Sequence, residues 1–417
     1  MLQTCVRTSA QISKKLQRPF HQFILQSHKS LVGILCQNMY TVSENMKPDP
    51  QSCVIDLRSD TLTMPSMEMR KAMFEAEVGD DVLREDPTVN ALQDKIAKIL
   101  QKEAALFMSS GTLSNLIAVM AHCYKRGDKV LIGHKSHILQ HEDGGVSELG
   151  GVMINTIPNN ADGTFDLQLM EKNYCGGNIS LVCIENTFGH GGSVLPLEFI
   201  DKIGSILSRK KIPLHCDGAR LFNAAVYHKV PPARLVKDCA SVSVCLSKGL
   251  GAPVGSLLVG NRDFIEKAFR LRHLLGGAMR QSGVLAAAGI VALDTGVARL
   301  VEDHERLHKL VTAMVNMKTS CLKLDVDLMH TNIAIIHVNP KCCTAKELVE
   351  RLFEVTPEEE AEIGKAIRIK CYEIGVQEIR FVTWNAITDA DIKNALEKLS
   401  YIVKELEKKM SASSSEI

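Results

Sequence analysis

Helical periods alternate with short apolar runs from Val54 onward, which is the pattern of an α/β protein with a largely parallel sheet. Apolar residues recur at helical spacing from Pro87 to about Lys102, and proline is well placed in a first helical turn. Further helices are predicted near 112–125, 196–210 and 261–274. The apolar runs lack the alternation of half-exposed strands, so we expect strands that are buried on both faces. These runs cover 104–108, 129–132, 179–184, 212–215, 241–246 and 256–260.

The C-terminal part has a different pattern. An Ala- and Leu-rich helical region from Arg280 to about Lys318 is expected to join a large domain to a smaller one. The acidic run at 357–362 is interpreted as a solvated helix or loop. An α+β domain is predicted from strands at 333–338, 367–372 and 379–383 and from helices near 344–353 and over 388–409. We therefore predict a large domain over 51–295, a small domain over 296–410 and a disordered tail over 411–417.

The N-terminal segment is basic and rich in Ser and Gln, and no acidic residue precedes Glu44. Its basic residues are Arg7, Lys14, Lys15, Arg18 and Lys29. This composition is typical of a mitochondrial transit peptide, which we expect over residues 1–50. The alternative is a disordered basic tail without a targeting role, which would leave the protein in the cytoplasm.

Composition narrows the classes of partner. A chain of 417 residues is expected to form two or three domains. The formal net charge of +1 gives no reason to expect nucleic acid or an anionic membrane as a partner, and no apolar run approaches the roughly 18 residues that span a bilayer. The 13 cysteines lack metal-site spacing and are expected to be reduced thiols, so no metal is predicted. A small molecule is the expected partner.

Lys248 follows a predicted buried strand and enters a glycine-rich bend in SVSVCLSKGLGAPVGSLLVG (241–260). An amine at the end of an apolar strand is desolvated, which frees it to condense with an aldehyde. An isolated Ser-Lys-Gly would more simply be a surface turn. The glycines do not have the spacing of a dinucleotide-binding motif.

Asp217 ends a second short strand in IPLHCDGARLFNA (212–224). It could simply cap the strand end. A buried carboxylate there could also keep a pyridine nitrogen protonated, and the ring of pyridoxal 5′-phosphate (PLP) is an electron sink only in that state. Arg220, about one turn further on, could offer a planar pair of donors to the ring hydroxyl or to a substrate carboxylate.

Gly111 and Thr112 lie where a strand meets a helix, in ALFMSSGTLSNL (105–116). Free backbone N–H groups and the helix dipole make such a start a phosphate site, although Ser-Gly-Thr alone is also a common helix cap. The order of strand, phosphate turn, Asp217 and Lys248 favours a PLP enzyme in which Lys248 holds the cofactor as a Schiff base.

Six segments together resemble the L-threonine aldolases, over roughly residues 54–400. They are VIDLRSDTLTMPS (54–66), GDDVLREDPTVNALQ (79–93), SSGTLSN (109–115), HCDGARLFNA (215–224), LSKGLGAPVGSLLVGNRDFI (246–265) and GGAMRQSGVLAAAGIVAL (276–293). The resemblance implies the aspartate-aminotransferase architecture of PLP enzymes, fold type I, with a large PLP-binding domain and a smaller α+β domain. It also implies a homotetramer whose active sites are built from two subunits. The implied reaction is the retro-aldol cleavage of L-threonine or L-allo-threonine to glycine and acetaldehyde.

The same resemblance implies roles for individual residues. Lys248 holds PLP, Asp217 pairs with the pyridine nitrogen, Gly111 with Thr112 holds the phosphate, and His137 stacks on the ring and handles the β-hydroxyl proton.

Four further residues complete the implied site. Arg280 would reach the phosphate of a neighbouring subunit. Ser59, Arg220 and Arg380 would hold the substrate α-carboxylate, with Arg380 the weakest match because its flanking sequence has drifted.

Three positions depart from the family pattern by losing a polar group. Phe188 replaces a histidine in ENTFGHGGSVLP (185–196), Leu83 replaces a tyrosine and Trp384 replaces a histidine. His190 either supplies the missing contact or is an exposed loop residue. Two alternatives to the threonine aldolase therefore stay open: a PLP enzyme for another small amino acid, and a catalytically weakened paralogue that still binds PLP.

Overall fold

The computed structural model describes residues 52–174 and 179–414. The predicted leader, residues 1–50, and residues 415–417 of the predicted tail lie outside this range. Residues 411–414 continue the final helix, so the prediction that the tail begins at 411 was wrong for these four.

The predicted runs account for all described strands except those at 53–56, 153–157 and 322–324. The described strands number thirteen. They are β1 (Cys53–Asp56), β2 (Ala104–Met108), β3 (Lys129–Gly133), β4 (Met153–Ile157), β5 (Ile179–Glu185), β6 (Leu214–Gly218), β7 (Ser241–Cys245), β8 (Ser256–Gly260), β9 (Leu322–Leu324), β10 (Ile333–Val338), β11 (Ile367–Lys370), β12 (Tyr372–Gly375) and β13 (Glu378–Val382).

The predicted helical periods are also helices in the structure, but the helices at 67–75, 137–140, 145–148, 167–174, 221–228 and 232–235 were not predicted. The described helices number fifteen. They are α1 (Met67–Glu75), α2 (Pro87–Leu100), α3 (Gly111–His122), α4 (His137–Gln140), α5 (Gly145–Glu148), α6 (Leu167–Tyr174), α7 (Leu197–Lys210), α8 (Leu221–His228), α9 (Pro232–Leu235), α10 (Arg262–Leu274), α11 (Gly283–Val291), α12 (Val297–Asn316), α13 (Ala345–Phe353), α14 (Pro357–Ile363) and α15 (Asp389–Ser414). Short 3₁₀ turns cover Asp60–Leu62, Asp81–Leu83 and Val326–Leu328.

A seven-stranded sheet in the order β2-β8-β7-β6-β5-β3-β4 carries the large core. β8 runs antiparallel to its two neighbours, and the other pairs are parallel. The carboxyl ends of β5, β6 and β7 therefore meet at one edge, where ligands bind in open α/β sheets. The predicted α/β class with a mainly parallel sheet is confirmed.

A smaller antiparallel sheet, in the order β12-β13-β10-β9, follows in the C-terminal part. The predicted strand 367–372 is two strands, because β11 pairs with β1 whereas β12 pairs with β13. Ile55 of β1 and its neighbour Leu57 pack in the core of this C-terminal layer, although their position in the chain is N-terminal.

The interpretation of the acidic run 357–362 as solvated was wrong at one residue. Glu359 is fully buried on α14, where it accepts from Lys398 Nζ at 2.5 Å and from Arg351 Nη1 at 2.7 Å. The run is a helix, which was one of the two predicted options, but its second glutamate anchors the helix to the core.

The helical run Gly283–Asn316 comprises α11, a π-helical turn (Ala292–Gly296) and α12. By length and composition it could cross a bilayer. Its residues Ala288, Leu293 and Leu300 pack in the large core, and core helices of this kind meet the same criterion.

Candidate active site

Asp217 lies near the carboxyl end of β6, and only 2% of it is exposed. It is paired in register with Glu185 on β5 and with Ser243 on β7. Lys248 follows β7 by three residues. The topology thus brings the two residues to the same edge of the sheet, as the sequence predicted.

The bend that carries Lys248 is fixed through its backbone carbonyl oxygen. Thr63 Oγ1 and the Gly251 amide both donate to this oxygen at 2.9 Å. Gly251 has a φ of +85°, which glycine adopts without strain. The glycines of this segment therefore shape the turn behind the lysine.

Gly111 is the first residue of α3, next to the end of β7. A Cβ atom on Gly111 would lie 2.7 Å from Cys245 Sγ, so only glycine fits without a shift. Ser110 caps the helix by accepting from the Leu113 amide at 3.1 Å, and Thr112 is exposed. The first turn therefore leaves backbone N–H groups that can bind an anion.

His137 begins α4, and its Nδ1 lies 2.9 Å from Glu142 Oε1. Burial lowers the pKa of His137, but the hydrogen bond that His137 donates to Glu142 and the negative charge of Asp217 outweigh it, so the pKa is raised. Because Nδ1 is engaged with Glu142, Nε2 is the nitrogen that can exchange a proton with a ligand.

Asn115 joins the two carboxylates of the site. Its Nδ2 donates to Glu142 Oε1 and to Asp217 Oδ2, each at 2.8 Å. Burial raises the pKa of Glu142, with a further contribution from Asp217. One amide on α3 thus supports both the predicted ring-nitrogen partner and the residue that orients His137.

Glu185 holds two segments that border the site. Its Oε2 accepts from the His137 amide at 3.1 Å and its Oε1 accepts from the Gly189 amide at 2.8 Å. Burial and the negative charge of Asp217 raise the pKa of Glu185 to about 7.

Arg220 forms a buried ion pair that the sequence did not predict. Its Nε and Nη2 donate to the two oxygens of Asp60, each at 2.7 Å. Burial raises the pKa of Asp60, but the charge of Arg220 overrides this effect and the pKa falls to about 2. The pair of donors expected to face a ligand carboxylate instead faces Asp60, which fixes the guanidinium in place. Ser59, directly before Asp60, is buried and accepts from Thr61 Oγ1 at 2.9 Å.

Arg380 lies half-buried on β13, in register with Ile335 and Tyr372. The pKa of His141 is lowered to about 4 by burial, then by the charges of His137 and Arg380. Arg380 therefore lies close enough to the His137 side of the site to act on it electrostatically.

The loop after β5 contains Phe188, one of the three departures from the family pattern. Phe188 is 2% exposed and packs close to Gly163. The ring of His190 lies 6.1 Å from that of Phe188, and its Nε2 lies 3.7 Å from Glu378 Oε2 on β13. His190 thus links this loop to the strand that carries Arg380.

Outside this loop lie Arg280 and the other two departures from the family pattern, Leu83 and Trp384. Arg280 is exposed and donates to Asp80 Oδ2 at 3.0 Å. Leu83 is 63% exposed. Trp384 is buried, and its Nε1 donates to the Asp56 carbonyl at 2.6 Å.

Sequence reasoning missed four residues of this site: Asp60, Asn115, Glu142 and Glu185. Glu185 has the same sequence feature that identified Asp217, because each is a carboxylate at the end of a buried apolar run. Asp60 and Asn115 lie within the quoted segments, and Glu142 lies five residues after His137, but only tertiary contacts reveal their partners.

Comparisons with known proteins identify the family and the fold. A family model described as beta-eliminating lyase matches residues 56–339. Low-specificity L-threonine aldolase 1 of Arabidopsis thaliana is 46% identical over 309 residues, which are 72% of this chain and 86% of that protein. The low specificity L-threonine aldolase of Escherichia coli is 44% identical over 285 residues, which are 67% of this chain and 85% of that protein. Among solved structures, a threonine aldolase of Leishmania major matches with a TM-score of 0.68 at 18% identity. The match covers 84% of this chain and 99% of that chain, and at this identity it shows the fold alone.

Proposed function

This chain belongs to the β-eliminating lyase family and is similar to low-specificity L-threonine aldolases, and we propose that it uses PLP to cleave L-threonine and L-allo-threonine into glycine and acetaldehyde. The observation that carries the proposal is the convergence of Asp217, Lys248 and His137 at the edge of the sheet. The predicted fold type I architecture is confirmed by the likeness to solved threonine aldolases.

The chemistry of the side chains fits PLP. Asp217 is a buried acid that can hold a proton at a pyridine nitrogen. Lys248 supplies an amine on a rigid bend, and the start of α3 supplies N–H groups for a phosphate. Together these residues would hold the three chemically distinct parts of the cofactor. When bound, PLP supplies the electron sink that lets a Cα–Cβ bond of the amino acid break.

His137 is suited to accept the β-hydroxyl proton of the substrate. With Nδ1 donating to Glu142, Nε2 is free of hydrogen in the neutral ring and can take a proton. The negative charge of Glu142 stabilises the protonated ring that results, because it lies 2.9 Å away. The proton can later return from Nε2 to a product.

Ser59, Arg220 and Arg380 are proposed to orient the substrate by binding its α-carboxylate. Asp60 engages Nε and Nη2 of Arg220, so Nη1 is the donor that would face the carboxylate. The same pair holds the guanidinium in one orientation, so binding would cost little additional ordering of that side chain. Orientation matters because the electron sink that PLP would supply acts on the Cα bond that is aligned with it.

The test is a direct assay of the purified holoprotein with each threonine diastereomer. We expect release of glycine and acetaldehyde, and loss of both products in Lys248→Ala. Absence of glycine from both diastereomers would refute the proposed reaction. Retention of the visible absorption band of bound PLP in that case would support the alternative of a cofactor-binding paralogue, and product release from another small amino acid would support the second alternative.

A homotetramer is proposed from exposed apolar side chains on segments that surround Arg280. Phe74 is 91% exposed, Leu274 is 74% exposed and Leu83 is 63% exposed. A partner subunit that covers them would also approach Arg280, which would reach the phosphate held by that partner. Light scattering of the full chain tests this proposal, and a monomer at micromolar concentration would refute it.

Mitochondrial import, and with it a role in mitochondrial glycine formation, is proposed from the basic, acid-poor composition of the N-terminal segment. The full chain with a C-terminal fluorescent protein should reach mitochondria, and the chain without residues 1–50 should remain in the cytoplasm. Equal distribution of the two would refute the proposal.

A further inference from the structure

A chain of side-chain hydrogen bonds leads from Asp217 away from the active site. Asn115 Nδ2 donates to Asp217 Oδ2 at 2.8 Å, and Asn115 Oδ1 lies 3.3 Å from His215 Nε2. His215 Nδ1 lies 2.8 Å from Ser241 Oγ, which lies 2.9 Å from His122 Nε2. His215 and Ser241 are fully buried, and the proposed reaction uses neither of them nor His122.

The direction of each hydrogen bond follows from the two carboxylates at the inner end. Carboxylates only accept, so Asn115 must turn its Nδ2 toward Glu142 and Asp217 and its Oδ1 toward His215. His215 Nε2 must therefore carry a hydrogen. Burial lowers the pKa of His215 to about 4, so near neutral pH its Nδ1 carries none and accepts from Ser241.

The hydrogen bond at the outer end of the chain, between His122 and Ser241, has the same direction. Since the Ser241 hydroxyl hydrogen points to His215, Ser241 Oγ accepts from the Nε2–H of His122. Burial, and then the charges of His215 and Lys267, lower the pKa of His122 to about 3, so this ring is also neutral. Every donor in the chain thus points inward to the carboxylates.

We propose that His215 and Ser241 are positioning residues for the cofactor, which keep the Asn115 amide nitrogen directed at Asp217 and leave the negative charge of Asp217 for the pyridine nitrogen. The inference rests on the proposed PLP function. A neutral amide supports a carboxylate without neutralising it, whereas a cationic donor would compete with the pyridinium. Because Asn115 also donates to Glu142, the same relay secures the residue that orients His137.

The opposite orientation shows why the relay is needed. If the Asn115 amide turned over, its oxygen would face the oxygens of Glu142 and Asp217, and both carboxylates would lose a donor in a buried site. An unmade hydrogen bond of this kind is costly because water cannot replace it. His215 opposes that turn, since its Nε2–H would then face an amide N–H.

Two matched pairs of variants test the relay. His215→Asn keeps a polar group near Ser241 but cannot reach Asn115, whereas His215→Gln can place an amide N–H where Nε2 lies. Ser241→Ala removes the hydroxyl of the relay. Ser243→Ala removes an equally buried hydroxyl from the same face of β7, outside the relay. The readouts on holoprotein are the PLP dissociation constant, the pH dependence of the visible band of bound PLP, and the unfolding temperature.

We expect His215→Asn and Ser241→Ala to raise the PLP dissociation constant about three- to tenfold and to shift the pH profile of the visible band. His215→Gln and Ser243→Ala should stay within about twofold of the wild type. The inference would be overturned if the two variants of each pair had equal PLP dissociation constants and equal pH profiles. It would also be overturned if the change in PLP affinity were proportional to the loss of unfolding temperature in every variant. A wild type without any visible band would overturn the PLP function itself, whereas a normal band that no variant changes would overturn the relay alone.

Discussion

Glu185 and Asp217 occupy paired positions on the neighbouring parallel strands β5 and β6, so two buried carboxylates lie side by side at the edge of the sheet. Two adjacent buried acids resist simultaneous ionisation. Burial and the charge of Asp217 accordingly raise the pKa of Glu185 from 4.5 to about 7. The folded chain holds this proton more tightly than the unfolded chain, so Glu185 makes the free energy of unfolding fall as the pH rises from 4.5 to about 7.

In cofactor-free protein, Glu185→Gln should reduce this pH-dependent decrease in the free energy of unfolding by roughly 1 to 3 kcal/mol, because an amide does not titrate. The amide nitrogen of the new side chain must face one of the two backbone N–H groups that Glu185 binds, so stability at low pH should drop. Denaturant unfolding between pH 4.5 and 8 measures both effects. Exposed Glu148→Gln is the control, and an unchanged slope in Glu185→Gln would contradict the assignment.

Asp60→Asn should destabilise the protein by about 3 kcal/mol and raise KM, because it leaves the charge of Arg220 buried without its partner. Because the pKa of Asp60 is lowered to about 2, the contribution of this ion pair to the free energy of unfolding is complete above pH 3.8 and is lost as the pH falls through 2. Asp56→Asn breaks the half-buried pair with Arg58 and should cost less than about 1 kcal/mol. Equal losses of unfolding free energy in the two variants would argue against a special role for Asp60.

Glu142→Gln should reduce kcat/KM by about tenfold or more and move its acid limb to lower pH. The hydrogen bond to Glu142 raises the pKa of His137. An amide oxygen accepts that bond more weakly than a carboxylate, so His137 should lose its proton more readily in the variant. Asp143→Asn is a close control, since Asp143 is exposed and its φ of 49° is one that asparagine tolerates. An acid limb that does not move would exclude His137 as the group that titrates.

His122→Phe should reduce the acid sensitivity of folding. The lowered pKa of His122 gives a stabilising effect that is present above 6.5 and is lost as the pH falls toward about 3. Phenylalanine can keep the stack on Phe264, whose ring lies 4.7 Å away, but it cannot titrate or donate to Ser241. The unfolding temperature of the variant should be lower at pH 7.5 and change less between pH 6.5 and 4. The control is exposed His308→Gln, whose unfolding temperature should change with pH as the wild type does. The same pH dependence in His122→Phe would contradict the prediction.

Much of the fold is predictable from local pattern. Pro87 and the stripe of Val89, Leu92 and Ile96 define α2, and all three stripe residues are fully buried. β4 was missed because it pairs only with β3 at the sheet edge and exposes Met153, so it lacks the continuous apolar run of a central strand. β6 begins at Leu214 rather than at 212 because Pro213 has no N–H to pair.

The site was predictable only where the chemistry is encoded locally. Lys248 and Asp217 stand at the ends of buried strands, and that position is visible in the sequence. Asn115 and Glu142 gain their roles from partners up to 102 residues away, and no local pattern encodes those contacts. Glu359 was misjudged for the same reason, since its partner Lys398 lies 39 residues further on.

The attachment of the cofactor to Lys248 is tested most directly by borohydride reduction of the holoprotein followed by peptide mass mapping. Reduction makes the bond between PLP and its lysine permanent, so the modified residue can be identified. We predict a single modified peptide that contains Lys248, and none in Lys248→Ala. Modification of a different lysine in the wild type, or of none, would contradict the central assignment.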